Sequence, residues 1–520
     1  MPPLAVVSTL AQPVRDVWVH LWRTQLLELM LNTVALVLSV GAGTLVLGTA
    51  LGWLVASYEF PARRFFEWAL ILPLALPAYV IGFAVLGLLD YPGPLQTALR
   101  QVLGPAARFP DPRGFWGVML VMTLVFYPYV YLLARTAFRE QGAATLETAR
   151  TLGRSRWQAF REVSLPMARP SLAAGTSLAM METLADFGTV ATFGYRTLTE
   201  AVYRVWYGMF DRVAATQLAT LLLFFALTLL VLEQALRGRA RFVQSQRRGP
   251  GVQRVRLARG RAVLASAGCG IVLAAAFVAP VGRLLVWAAD VGTSWGTVVP
   301  AFGSVLLNTV LLASAAALVT CVLALALGYA SRLHPALTVR LAARMASMGY
   351  ALPGSVIAVG VLIPLARLDH VLAGIAEWML GRPAGLVLTG SAAALVFAYA
   401  VRFLAVSLQT LEASLVKIPP SYDDAARSLG AGVGRTFARI HLPLMRGGVL
   451  TALVLVFVET IKEMPATLLL RPFGVDTLAI AVWERTAESQ WPEASLPALA
   501  IVAAGLLPVF LAIRLSSRSR

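Results

Sequence analysis

The chain has 520 residues, of which 58% are hydrophobic and 13% charged, with a formal net charge of +18 and a mean hydropathy of +0.74. Soluble globular domains carry about 25% charged residues, so this balance excludes a soluble protein, and continuous apolar runs without alternation exclude an outer-membrane barrel. The arginines collect at the ends of those runs, as the charge rule for cytoplasmic loops requires; membrane lipid is the partner this implies, and no nucleic acid is.

A helix of about 20 apolar residues crosses roughly 30 Å of hydrocarbon. In chain order, runs of that kind are predicted at 27–57, 64–89, 115–138, 169–192 and 215–236, then at 262–287, 302–331, 341–366, 383–411, 445–469 and 494–514. The fold class is therefore an all-α polytopic membrane protein. The "GTALG" element at Gly48–Gly52 is a small-xxx-small pattern that lets helices approach closely. Between the two sets of spans, Arg237 to Arg261 holds nine arginines and no acid. This reads as a basic cytoplasmic linker, 237–261, joining an N-terminal half, 1–236, to a C-terminal half, 262–520.

The halves repeat one another. "LNT" stands at 31 and 307, "ALPAYVI" at 75 faces "ALPGSVI" at 351, and "ETLADF" at 182 faces "ETIKEM" at 459, an offset of about 277. A repeat this long, carrying several spans, marks a duplicated transporter half. The second half has an extra opening span whose tail "VAPVGRLLVWA" is similar to "AQPVRDVWVHL" at Ala11–Leu21. The first helix of the N-terminal half is thus expected to be short or truncated, with the true start codon left open.

One polar stretch is also duplicated: "LETARTLGRSRWQAFREVSLP", Leu146–Pro166, and "DDAARSLGAGVGRTFARIHLP", Asp423–Pro443. The six predicted spans between them put both on the same side. Arg63, Arg64, Arg332, Arg340 and Arg344 make that side cytoplasmic. Loops 90–114, 193–214, 367–382 and 470–493 then face the other way. Each copy reads as a short helix, a glycine able to take the left-handed conformation, a second short helix, and a proline that ends it before the next span. Ser421 with Asp424, and Ser155 with Gln158, have capping-box spacing.

Here the chain resembles the binding-protein-dependent ABC importer permeases, whose cytoplasmic "EAA" loop follows E-A-A-x3-G-x9-I-x-L-P. The pattern is carried by Glu147, Ala149, Gly153, Val163, Leu165 and Pro166, and again by Asp424, Ala425, Ala426, Gly430, Ile440, Leu442 and Pro443. Thr148 replaces the first alanine of one copy, and Asp424 replaces the glutamate of the other. The resemblance implies two permease halves of about six helices each, ABC type I importer-like, in a bacterial inner membrane. Each loop would seat on one of two copies of an ABC ATPase subunit, and a periplasmic substrate-binding protein would deliver the cargo. A P-loop needs Gly-Lys-Ser/Thr, whereas the only lysines, Lys417 and Lys462, follow Val416 and Ile461. No enzyme activity and no cofactor are therefore expected of this chain, with ATP on the partner subunit.

Fusion of both halves resembles chiefly the ferric-iron importers and, less closely, the thiamine permeases. "DFGT" at Asp186 and "KEMPATLLLRPF" at Lys462 look like ferric-type segments, with Met464 where leucine is usual. Ferric ion is the transported substrate this implies; thiamine or another small solute is the alternative. Acids inside spans are functional candidates. Glu182 and Asp186 match Glu459 and Glu463, each pair four apart and so on one helix face. These oxygens, with Tyr127, Tyr129 and Tyr399, would suit a hard cation on a translocation path; the competing reading has the acids pair with Lys462, Arg402 or backbone and hold helices together. No resident metal is assigned. Cys269 and Cys321 lie in apolar runs and read as core. An integral-membrane enzyme would need a His, Cys or Ser/Lys constellation not found here. An ion-driven secondary carrier would have no use for two ATPase-docking loops.

Overall fold

Prolines and capping carboxylates decide where the apolar runs break into helices. The structure, a computed structural model, describes residues 2–12, 16–141, 151, 153–237, 254–290, 295–334, 336–380 and 387–518. The chain runs through α1 (Pro2–Ser8), α2 (Asp16–Thr24), α3 (Leu26–Ser57), α4 (Arg63–Ala69), α5 (Ala78–Leu89), α6 (Pro94–Leu103), α7 (Phe115–Glu140), α8 (Leu165–Ala185), α9 (Gly188–Thr192), α10 (Leu198–Tyr203) and α11 (Arg212–Arg237). It continues through α12 (Arg259–Leu273), α13 (Ala279–Asp290), α14 (Trp295–Leu333), α15 (Leu337–Ser347), α16 (Gly354–Leu380), α17 (Ala392–Leu415), α18 (Ser421–Ser428), α19 (Arg446–Lys462), α20 (Pro465–Leu470), α21 (Leu478–Ala487) and α22 (Trp491–Arg518). Shorter helical pieces of about one turn lie at Arg156–Ala159, Val433–Thr436 and Leu442–Leu444. The only strand pairing among the described residues is a two-residue parallel bridge, Tyr58 to Val255 and Glu59 to Arg256. The protein is an all-α, multi-pass membrane protein.

Nine helices among the described residues are long and apolar enough to cross a membrane, or ten if a pair bent by 74° around Met445 counts as one span. The sequence predicts eleven. The run 64–89 is not one helix but α4, a 3-10 turn at Leu72–Ala75 and α5. Pro73 and Pro77 supply no N–H and disfavour helix in the preceding residue. The run 341–366 breaks likewise, at a 3-10 turn over Gly349–Ala351 before Pro353, and α16 then continues to Leu380 through most of the predicted loop 367–382. The run 169–192 ends early at Ala185, and the run 445–469 is interrupted after Lys462.

The chain forms two compact units. One comprises Pro13–Thr293 with Trp483–Val502. In it α3, α7 and α8 pack together, and the GTALG element does what its pattern implies: a methyl on Gly48 would sit 2.6 Å from Val130 Cβ, and one on Gly52 2.8 Å from Ala134 Cβ. Its core gathers Leu51, Val55, Tyr127, Tyr131, Cys269 and Leu273. The other unit comprises Met1–Gln12, Ser294–Val482 and Ala503–Arg520. Here α14, α17 and α19 pack together around Cys321, Leu408, Leu411 and Ala452. The short α1 lies against α16, where a methyl on Gly360 would meet the Pro2 carbonyl at 2.5 Å. Both cysteines are free and buried.

Candidate functional site

The second polar stretch folds as a helix, a left-handed turn and a second helical turn. In α18, Asp423 and Asp424 occupy the first turn, where carboxylates complement the exposed N–H groups. The predicted Ser421–Asp424 capping box does not form: α18 begins at Ser421 itself, after Pro420, and no side chain caps it. Ala426 is buried, while Asp424 is 70% exposed. Gly430 takes φ +72°; its N–H donates to Arg427 O, and the next N–H, of Ala431, donates to Ala426 O. This is the bond pair of a glycine-closed helix end. Leu429 beside it is 87% exposed, and Tyr422 and Val433 are exposed as well.

In the first stretch, Glu147, Thr148 and Ala149 lie outside the described residues. From Gly153 onward the stretch matches the second copy. Gly153 takes φ +79°, and the Ser155–Gln158 box forms in both directions: Ser155 N–H donates to Gln158 Oε1 at 2.8 Å and Gln158 N–H to Ser155 Oγ at 3.3 Å. Trp157 is exposed.

Pro166 and Pro443 do not end the second helix as predicted. A π-turn precedes each, Phe160–Ser164 and Phe437–His441, in which Leu165 N–H donates to Phe160 O and Leu442 N–H to Phe437 O. The proline then sits in the first turn of the following helix, where its missing N–H leaves no bond broken. In the first copy the chain passes straight into α8. In the second it bends at Met445 before α19.

One anchor escaped sequence reasoning. Asp423, the neighbour of the motif acid, accepts from Arg332 Nε at 3.1 Å and Nη2 at 2.6 Å, and His441 Nε2 lies 2.9 Å away. Arg332, at the end of α14, also donates to Leu415 O and Ile418 O at the end of α17. One guanidinium thus ties the polar loop to two long helices. Arg332 is visible in the sequence only as a cytoplasmic charge, and Leu146 holds the matching place in the first copy, so the repeat gives no hint of it.

The membrane acids have a different use from the shared helix face predicted for them. The backbone leaves the helix at Asp186 (φ −73°, ψ 124°) and at Glu463 (φ −73°, ψ 110°). Each carboxylate then caps the next short helix: Asp186 accepts from Thr189 N–H at 2.8 Å and Thr189 Oγ1 at 3.0 Å, and Glu463 from Ala466 N–H at 2.8 Å. Glu463 is also paired with Arg402 at 3.0 Å. Glu459 pairs with Lys462 at 2.8 Å. Glu182 lies half-buried in the last turn of α8, and Tyr129 half-buried on α7. Tyr127 is fully buried and donates to Leu70 O at 2.9 Å in the break after α4, and Tyr399 shares a 2.6 Å bond with Thr467 Oγ1. Among the described residues no group of three His, Cys, Asp or Glu side chains could hold a metal ion.

The architecture agrees with comparisons to known proteins. The model of the binding-protein-dependent transport system inner membrane component matches twice, over residues 48–237 and 321–519. The Fe(3+)-transport system permease protein FbpB 2 of Haemophilus influenzae is 29% identical over 94% of this chain and 90% of its own length. The molybdenum transport system permease protein ModB of Escherichia coli is 29% identical over 35% of this chain and 78% of its own length. The sulfate transport system permease protein CysT of the same species is 31% identical over 36% of this chain and 67% of its own length. With the family's domain present in each half, the chain belongs to the binding-protein-dependent transport system inner membrane components, as a fused, two-half permease.

Proposed function

We propose that this permease carries ferric ion, delivered by a periplasmic binding protein, through alternating access driven by two copies of a separate ABC ATPase subunit. The observation that carries the ATPase-coupling role is the polar loop itself. It presents an exposed acid, Asp424, and an exposed leucine, Leu429, on a short helix whose end is set by a left-handed glycine. Tyr422 and Val433, exposed on the same loop, add to the apolar surface of Leu429, and exposed apolar patches beyond scattered single residues mark interaction sites. Glu147, Thr148, Ala149 and Gly153 would seat the second ATPase copy, and ATP would bind there and not to this chain.

Iron is supported by the similarity to a Fe(3+) permease over nearly the whole length, whereas the molybdenum and sulfate permeases align with about one third of the chain. Ferric ion is cargo here and not a resident metal. Asp186 and Glu463 serve the path by holding the helix breaks open, since a path that bound Fe(III) tightly would not release it. Glu182, Glu459 and Tyr129 are the remaining candidates to line it. The test is ATPase stimulation of the reconstituted complex by a ferric-loaded binding protein, beside thiamine-loaded and molybdate-loaded ones. Stimulation by either of the others, and not by the ferric form, overturns the iron assignment while leaving the coupling role intact.

A further inference from the structure

Where α3 ends and α4 begins, one carboxylate collects three guanidinium groups. Glu67 is 5% exposed and meets Arg63 Nη1 at 3.0 Å, Arg139 Nη1 at 3.0 Å and Arg135 Nη1 at 3.4 Å. Arg135 and the Tyr131 hydroxyl also donate to the Glu67 carbonyl, each at 3.0 Å. Arg63 reaches a second acid, Glu59, at 3.1 Å. A fourth arginine arrives from the linker: Arg254 precedes the bridge that pairs Val255 and Arg256 with Tyr58 and Glu59, and Leu257 N–H donates to Glu59 O. Burial, and then the Arg63 and Arg139 charges, hold the Arg254 guanidinium below its usual pKa, while Glu59 and Glu67 pull the other way.

Four guanidinium groups against two carboxylates leave this cluster with two uncompensated positive charges. Arg139 keeps 41% of its side chain exposed and Arg254 is half-buried, so an anion can reach both, and the Nε–H groups of Arg135 and Arg254 are buried without a hydrogen bond. The cluster lies on the side that the arginine excess assigns to the cytoplasm. It adjoins α12, whose Ser266 hydroxyl donates to Pro61 O. That helix exposes Val263, Leu264 and Ile271, and Phe65 is exposed on α4. Only 22% of the most apolar stretch within Arg259–Asp290 is buried. Arg64, Arg259 and Arg261 add exposed charge at the same level. Basic pockets between membrane helices on the cytoplasmic side take anionic headgroups.

We propose that Arg63, Arg135, Arg139 and Arg254 form a binding site for the phosphate of an anionic phospholipid, with its acyl chains lying along the exposed apolar face of α12. The second half has no equivalent, because Ala343 and Arg344 stand near the places that match Glu67. The lipid therefore fastens the linker end to the first half only, and does so whichever solute is carried.

The test uses the full-length chain in nanodiscs or mixed micelles, with retained lipid counted by native mass spectrometry against phosphatidylglycerol and phosphatidylcholine at equal mole fraction. Arg254→Gln and Arg139→Gln should each weaken phosphatidylglycerol retention about fivefold, and Arg254→Lys should recover most of it. A control, Arg340→Gln with Arg344→Gln on the exposed face of α15, changes net charge by two and should leave retention unaltered. Equal retention of phosphatidylcholine, or no loss in both cluster variants, overturns the site. Displacement of the lipid by inorganic phosphate that itself binds equally well overturns the lipid in favour of a free anion.

Discussion

Thr33 Oγ1 accepts a 3.0 Å hydrogen bond from the Leu198 N–H, at the first residue of α10. The same hydroxyl gives its proton to Leu29 O at 2.7 Å. In the other half, Thr309 Oγ1 accepts from Leu478 N–H at 2.8 Å and donates to Val305 O at 2.7 Å. The "LNT" repeat therefore encodes a latch that holds the returning segment against the long helix that carries it, α3 in one half and α14 in the other. Replacing either threonine with valine keeps the shape but leaves a buried N–H unpaired, which costs about 1–3 kcal/mol. Thermal unfolding of the purified Thr33→Val and Thr309→Val proteins should show this loss, and the serine variants should show much less.

Charge reversal at the motif acids separates docking from folding. Asp424 is exposed, and surface substitutions change stability by only about 0.5 kcal/mol. A Glu147→Lys, Asp424→Lys double variant should insert and melt like the parent, yet recover at least about tenfold less ATPase subunit in a pull-down, the loss of roughly 1.4 kcal/mol or more of contact energy. Undiminished recovery would show that these acids do not face the ATPase.

Gly430 is required for its backbone alone. No atom lies within 4 Å of a methyl placed on it, but its φ is +72°. Gly430→Ala should therefore cost about 1–2 kcal/mol through left-handed strain. Gly434→Ala, inside the next helical turn, has the same open space and no left-handed φ, so it should be neutral or slightly stabilising. Limited proteolysis within 421–444 reads the difference directly.

Asp423, tied to Arg332, is expected to transmit the movement of the loop and not to form the ATPase contact. Asp423→Asn keeps the size of the side chain but weakens its tie to Arg332, a partly buried pair whose loss costs about 1–2 kcal/mol once solvent screening is allowed for. The variant should still bind the ATPase in a pull-down, whereas stimulation of ATP hydrolysis by the loaded binding protein falls. Equal loss of both would place Asp423 in the contact itself.

Much of this arrangement is legible in the sequence. Apolar run length, the 277-residue offset and the paired glycines lead to the membrane class, the duplication and the left-handed turns at Gly153 and Gly430. Each of these rests on local backbone preference or on the cost of putting polar groups in hydrocarbon, and none needs a partner distant in the chain. Acid spacing misleads at Asp186 and Glu463, because spacing assumes that the helix continues. A carboxylate able to cap a new helix three residues on competes with that continuation, and here it prevails.

Long-range pairing is what the fold adds. Arg332 and Asp423 are 91 positions apart, Tyr127 and Leu70 57, Thr33 and Leu198 165. Nothing in either partner's neighbours distinguishes a guanidinium or hydroxyl that will be buried against a particular group from one that will face water. Apolar run length and chain punctuation, being properties of adjacent residues, were sufficient to settle what kind of protein this is. Which polar atoms are satisfied by which was decided only when packing removed water from them, since a desolvated donor must take whatever acceptor the folded backbone brings within 3 Å.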